Sequence, residues 1–528
     1  MDTERHTEVI IVGAGPTGLA LACQLIRYGI GFVIIDAAEG IAPFSKAIGV
    51  QARTLEIHEQ IGLAASAVER GTIAQGARLV EGGEVRGEVA LAEIGKGLSA
   101  YPYLLLLEQD KHQQLLNDYI EAAGEQVAWQ SALEGFTQDD RGVVARVASG
   151  AGDSRTVATI HSKYLVGCDG AKSLVRHTLG LTFEGSTFDR LFYVADVQVA
   201  WKFSHEFVHI CFAENTLTAF FPMRGEQRWR IVGTFPEDTD KREGEVLYEE
   251  IERQIAADTK LDVQISHVNW FSVYKVNTRR VNRFQSGRCF VAGDAAHIHS
   301  PAGAQGMNTG IQDAYNLAWK LALVLRGKAG AGLLETYDEE RAKNAKHLLA
   351  TTDRMFEFGA GDEWFLVFFR SHILPHIADK VLHVEKVRHF IFELVSQTGI
   401  NYRGCALSRH DGGLNLKVRP GDRMPYFLVD GASVYDRLRL PVFHLLMFGD
   451  ASGDEHAAQA LHECGDGEWI DCHALALTPQ AQEAFGSREP FEVLLRPDNY
   501  IGAIAPRIAR DQISSYLRAA AATPARPA

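Results

Sequence analysis

Three glycines near the N-terminus carry the first chemistry that can be read in this chain. Gly13, Gly15 and Gly18 stand at Gly-x-Gly-x-x-Gly spacing in the run Val9-Ile10-Ile11-Val12-Gly13-Ala14-Gly15-Pro16-Thr17-Gly18-Leu19-Ala20. An apolar strand breaks there into a turn and then opens a helix. The first glycine makes the tight turn, the second lets backbone approach a pyrophosphate, and the third lets helix and strand pack closely. Amides at the helix start face the phosphates with the positive end of the helix dipole behind them. A second apolar run, Phe32–Ile35, ends in Asp36. That is about the 20-residue distance at which an acid hydrogen-bonds an adenosine ribose. The pattern predicts a bound dinucleotide.

Two further stretches hold acids and glycines that suit the same task. One is Tyr164-Leu165-Val166-Gly167-Cys168-Asp169-Gly170, running on to Arg176. The other is Arg288-Cys289-Phe290-Val291-Ala292-Gly293-Asp294-Ala295-Ala296-His297, leading into Pro301-Ala302-Gly303-Ala304-Gln305-Gly306-Met307-Asn308-Thr309-Gly310. A helical pattern begins near Asn308, so its first amides point at whatever binds there and stabilise negative charge without a lysine. Asp294, His297 and His299 lie close together, but the nucleotide motif accounts for them better than a metal site does. The seven cysteines are scattered and none forms Cys-x-x-Cys. Neither a zinc site nor a disulfide framework is expected, and a reducing, cytoplasmic setting is.

With the glycine turn, these stretches resemble the three fingerprints of the FAD-dependent aromatic hydroxylases, the single-component flavoprotein monooxygenases. Their order and spacing match from the N-terminus to about residue 350. The resemblance implies FAD as cofactor and NAD(P)H as a transient co-substrate. It implies O2 and a small phenolic or polyketide-like aromatic substrate, hydroxylated through a flavin C4a-hydroperoxide. Gly13, Gly15 and Gly18 would cradle the pyrophosphate, and Asp36 would take the ribose. Lys46 stands where an arginine is usual and Arg53 matches the following arginine, which leaves open which of the two meets the pyrophosphate. Gln109 matches a glutamine that reaches the flavin chain. Asp169 matches a motif that serves both FAD and the nicotinamide cofactor, Asp294 matches the acid that binds the ribityl hydroxyls, and Gly293 beside it would belong to the same cofactor site. Pro301, Gly306, Met307 and Asn308 would lie against the flavin ring.

Absences narrow the choice. No second strand–Gly-x-Gly-x-x-Gly–helix exists, so NAD(P)H would visit rather than reside. The Trp-x-Trp-x-Ile-Pro signature of flavin halogenases is missing. A Baeyer–Villiger or antibiotic-modifying monooxygenase stays open on the same scaffold. A flavin reductase or electron-transfer flavoprotein is the non-oxygenase alternative. No catalytic base is assigned; polar candidates beside the substrate are His209, Asn215, Arg224 and Tyr274. Each reads equally well as an exposed strand residue, and Arg224 is favoured because its strand should face the flavin.

The elements that position these residues follow from periodicity. Residues 1–180 alternate apolar strands with helical stretches, the pattern of a layered α/β, Rossmann-type FAD-binding domain. Residues 181–280 are β-rich and read as an inserted substrate domain; 281–400 return to the first domain and continue in helices. Residues 401–520 resemble the thioredoxin-like appendage of the phenol hydroxylase branch, without its redox cysteines. That favours a packing or dimer-forming role, and a homodimer with it. The whole chain has 528 residues, 46% of them hydrophobic, and a net charge of −14. That charge excludes nucleic acid as main partner. The apolar run Val9–Ile26 is broken by glycines and proline, so no membrane span is expected.

Overall fold

The structure is a computed structural model and describes residues 3–44, 47–150, 155–213, 216–236, 245–261, 263–299, 304–360, 384–410, 414–449, 469–508 and 516. Lys46, Asn215 and Pro301 lie outside the described residues.

A six-stranded sheet centres the first region. Its order is Gln285–Ser286, Cys289–Val291, Tyr164–Gly167, Val9–Val12, Phe32–Ile35 and Val127–Ala128. All neighbours run parallel except the Gln285–Ser286 edge. A parallel sheet is covered on both faces, which explains why Val9–Val12 is an unbroken, fully buried apolar run. Helix Pro16–Arg27 packs against helices Gln109–Ala122 and Gly306–Leu325. The three sequence motifs therefore belong to one layer.

The chain then enters an eight-stranded sheet built from Phe183–Ala200, Phe207–Phe212, Leu217–Pro222, Arg228–Thr234 and Gln264–Val281, with His297–Ile298 at one edge. Gly76–Glu81 and Glu84–Ala90 complete the other edge. The boundary expected at residue 181 is thus crossed earlier, because Gly76–Glu81 pairs parallel with Phe207–Phe212. Local periodicity cannot reveal a pairing between segments so distant. Side chains alternate across a sheet. One face carries Tyr193, Phe220, Trp229 and Ile231 beneath Ile251 and Ile255 of helix Tyr248–Thr259. Each such buried side chain contributes about 1.5–3 kcal/mol. The opposite face brings Val208, Ile210, Phe221 and Met223 against Ile48, Leu104 and Leu106 of the first region.

A third, five-stranded sheet runs Arg409–His410, Ile501–Ala505, Phe491–Leu495, Phe443–Gly449, Ile470–Ala476. Phe443–Gly449 lies parallel to Ile470–Ala476 and antiparallel to Phe491–Leu495. One face forms its own core around Phe448, Phe485 and Phe491. The other buries Phe443, Leu445 and Met447 against Trp319, Leu323 and Leu333. Cys23, Cys168, Cys211, Cys289 and Cys405 are free and buried, whereas Cys472 is disulfide-bonded. Among the described residues, no helix is long and apolar enough to cross a membrane.

Candidate functional site

The glycine turn is packed tight on two sides and open on a third. A Cβ on Gly13 would stand 2.4 Å from the Cys168 carbonyl oxygen, and one on Gly18 would stand 1.9 Å from that of Gly13. At Gly15 an added Cβ meets nothing within 4 Å. Asp36 pins the turn: its Oδ2 accepts the Ala14 amide at 2.6 Å and its Oδ1 accepts the Ala38 amide at 2.8 Å. Gln113 Nε2 donates to the Ala14 carbonyl at 3.2 Å, and its Oε1 accepts Gln109 Nε2 at 3.2 Å. Gln109 is therefore linked to the turn through Gln113, a residue that the motifs do not single out. Helix Pro16–Arg27 starts from Gly15 with no side-chain cap and no acid in its first turn. Its first amides are left for an anion.

Residues from the other two motifs gather on the same point. The Asp169 carboxylate accepts Ser173 Oγ at 2.5 Å and the Val175 amide at 3.1 Å, capping Leu174–Thr178. Added Cβ atoms on Gly293 and Gly310 would stand 2.4 and 2.2 Å from Thr17 Oγ1. Asp294 is exposed on the single turn Gly293–Ala295. Beneath it, Asp313 accepts the Gly293 amide at 2.9 Å, His297 Nε2 at 2.7 Å and Arg341 Nε at 2.6 Å. Burial pushes the Asp313 carboxyl up, but Arg341 and His297 outweigh it and hold it below the usual carboxylate range.

Helix Gly306–Leu325 also begins without a side-chain cap or an acid in its first turn. Ala304, just before it, holds φ at +53°, a conformation that side chains rarely adopt. Asn308 Oδ1 accepts the Gln51 amide and Thr54 Oγ1, while its Nδ2 donates to the Gly49 and Ala304 carbonyls. Its side chain fastens two segments together. Met307 Sδ lies 3.4 Å from His112 Nδ1, whose Nε2 meets His58 Nε2 at 2.5 Å. Burial pushes both imidazoles down, His112 to about 4. Residues 6–352 match the model of the "FAD binding domain" family.

The chain belongs to this FAD-binding family. A flavin-dependent monooxygenase of Mycobacteroides abscessus is 33% identical over 94% of this chain and 96% of its own length. The 6-methylpretetramide 4-monooxygenase of Streptomyces rimosus is 32% identical, covering 97% of this chain and 93% of its own. The solved structure of OxyS anhydrotetracycline hydroxylase from Streptomyces rimosus aligns with a TM-score of 0.74 at 28% identity. It covers 98% of this chain and 100% of that one. The protein is an FAD-dependent monooxygenase.

Across from the FAD motifs of this monooxygenase lies the second face of the eight-stranded sheet. Arg230 forks onto Asp196 with two bonds of 2.7 Å and donates to the Ala47 carbonyl at 2.8 Å. Both are buried. Tyr274 pairs across strands with Phe192, ring centroids 6.0 Å apart, and Trp270 stacks on Phe44 at 6.1 Å. Burial pushes the Tyr274 hydroxyl up to about 12, with Arg230 pulling the other way. His209 is corrected as a candidate. It points to the helix-covered face among Trp201, Phe203 and Trp229, and its Nε2 meets the Ser204 carbonyl at 2.9 Å. Arg224 sits beyond the strand Leu217–Pro222, exposed in the turn before Arg228, so its strand does not present it to the flavin region. Arg230 and Asp196 were missed; their shared face appears only with the strand register. Arg53 is buried and held by Glu56 Oε2 at 3.1 Å and the Asp498 carbonyl at 2.8 Å, with Tyr315 and Tyr500 beside it.

Proposed function

We propose that this flavoprotein hydroxylates an electron-rich phenolic or polyketide-like aromatic compound, taking electrons from NAD(P)H and oxygen from O2. The observation that carries the reading is convergence. Three motif segments meet at the start of Pro16–Arg27, and the Phe192–Asp196–Phe221–Arg230–Tyr274 face stands on the side of the sheet that meets the same region.

The residues present suit FAD. Gly15 leaves room for a pyrophosphate, and two helices begin with no side-chain cap and no acid in the first turn. In this reading Gly13, Gly15 and Gly18 shape the phosphate cradle, Asp36 holds the ribose, and Gln109 with Gln113 lines the chain. Asp169 serves FAD and the visiting nicotinamide cofactor, and Asp294 takes the ribityl hydroxyls. Gly306 and Met307 begin the helix whose amides stabilise negative charge at the flavin pyrimidine. Arg53, engaged with Glu56 and Asp498, acts as a strut between regions, which leaves Lys46 as the basic residue proposed for the pyrophosphate. Bound FAD supplies the oxygen activation. The protein supplies position and dryness. Phe192 and Phe221 exclude water, and the Arg230–Asp196 pair fixes the sheet face against Ala47. Tyr274 keeps its proton at neutral pH and so acts as a hydrogen-bond donor that orients a phenolate rather than as the base.

The C-terminal sheet supports a thioredoxin-like assignment. Its strands Ile470–Ala476, Phe443–Gly449, Phe491–Leu495 and Ile501–Ala505 lie side by side, the first pair parallel and the next two antiparallel. Relatives named as monooxygenases do not favour the reductase alternative.

A screen of phenols with the purified, FAD-loaded protein tests the proposal. A substrate should accelerate NAD(P)H consumption and gain one ring oxygen derived from labelled O2. Hydrogen peroxide as the sole oxygen product across the panel would overturn it, as would an inserted ester oxygen.

A further inference from the structure

The C-terminal sheet carries an arrangement unrelated to the flavin motifs. Strand Phe443–Gly449 is apolar apart from His444, which is wholly buried. The neighbouring strand Ile470–Ala476 sets Asp471 opposite His444 and His473 opposite Leu446, so all three polar side chains share one face. His444 Nδ1 lies 3.6 Å from Asp471 Oδ2 and 3.3 Å from His473 Nε2; His473 Nε2 lies 3.1 Å from Asp471 Oδ2. For a tetrahedral ion with ligand bonds of about 2.0–2.1 Å, ligand atoms stand about 3.3–3.4 Å apart. The triangle has that size.

The orientation of His444 has an independent cause. Its Nε2 lies 3.2 Å from the Leu440 carbonyl, which can only accept. Nε2 therefore carries a hydrogen, which leaves Nδ1, the atom facing Asp471 and His473, as the nitrogen available to a metal ion. Metal-binding histidines are characteristically oriented by such a carbonyl behind the ring. An ion pair alone would explain Asp471 and His473 but not a third, buried imidazole brought to the same place. Arg437 acts on His473 from nearby, yet it is itself paired with Asp430 at 2.8 Å. Asp471 and His473 remain partly exposed, which leaves an entry path and room for a water as fourth ligand.

We propose that His444, Asp471 and His473 form a binding site for a divalent transition-metal ion, zinc by preference, that clamps the edge strand Ile470–Ala476 to Phe443–Gly449. Two imidazoles and one carboxylate suit zinc. The site is independent of the flavin reading.

Untagged, FAD-loaded full-length protein would be stripped with a chelator, exposed to excess zinc, desalted and measured for zinc and flavin by elemental analysis and absorbance. Wild type should retain about one zinc per chain. Asp471→Asn and His473→Ala should retain less than about a tenth of that while keeping their FAD. Zinc should also raise the Tm of wild type and leave that of Asp471→Asn unchanged. A wild type that keeps no zinc, or variants that keep as much, would overturn the site. FAD content in the same samples reports separately on the flavin reading.

Discussion

Gly15 and Gly18 lie within one helical turn of each other, yet an added side chain meets opposite surroundings at the two positions. At Gly15 the backbone holds φ −70° and ψ 179°, values open to any residue, and the space beyond is empty. At Gly18 a methyl would collide with the Gly13 carbonyl, which is backbone and cannot swing aside. Gly15→Leu should therefore fold with an unchanged Tm in the absence of FAD and bind FAD more than about tenfold more weakly, a cost above about 1.4 kcal/mol. Gly18→Ala should lose about 1–3 kcal/mol of stability before any ligand is added. Thermal melts of the two apoproteins and FAD titrations separate the effects. Wild-type FAD affinity in Gly15→Leu would remove the phosphate role from this turn.

At the scale of elements, helices Gly306–Leu325 and Gly332–Ala360 are joined to the C-terminal region by a buried charge network. Glu340 accepts Lys320 Nζ at 2.8 Å and Arg496 at 2.5 and 3.0 Å, and Arg496 also reaches Asp498 at 2.6 Å. Burial pushes the Glu340 carboxyl up, but Arg496 and Lys320 outweigh it and hold it at about 2. A folded value below the unfolded one means stability that is fully present above about pH 4.3 and lost as pH falls toward the folded value. Glu340→Gln leaves buried Lys320 without its paired carboxylate and Arg496 with Asp498 alone, and should cost about 3–5 kcal/mol at neutral pH. It should also flatten the acid limb of the stability–pH curve below pH 4, measured by urea unfolding; an acid limb identical to that of wild type would refute the assignment. Nothing in local sequence announces this network, since Lys320, Glu340 and Arg496 meet only through tertiary packing. The same limit hid the Arg230–Asp196 fork and the His444 cluster, each of which depends on strand register. The glycine turn and the apolar run Phe32–Ile35 are readable because their signals are local. His209 and Arg224 show the converse: residue type was visible, but the face of the strand and the end of the hairpin were not.

Taken whole, the described chain joins its six-, eight- and five-stranded sheets partly through apolar contacts. Trp319, Leu323 and Leu333 of the FAD-binding region lie in one cluster with Phe443, Leu445, Met447, Leu494 and Ala503 of the C-terminal sheet. Polar ties reinforce that seam: Arg423 meets Glu56 at 3.1 Å, and Arg53 reaches the Asp498 carbonyl. Both ties hold helix Ala52–Glu59, and Asn308 fastens the start of the same helix to the loop before Gly306–Leu325. The C-terminal region thereby braces helix Ala52–Glu59 against the FAD-binding region. A chain ending at residue 400 would expose the Trp319 cluster, leave Glu340 without Arg496 and free the helix Ala52–Glu59. It should be recovered mainly as aggregate, and its soluble fraction should hold much less FAD than full-length protein. Soluble yield, flavin absorbance and light scattering check this together. A soluble, fully flavinylated fragment would mean that the C-terminal sheet is an appended module rather than a wall of the FAD-binding core, and the buried contacts at Trp319 argue for the wall.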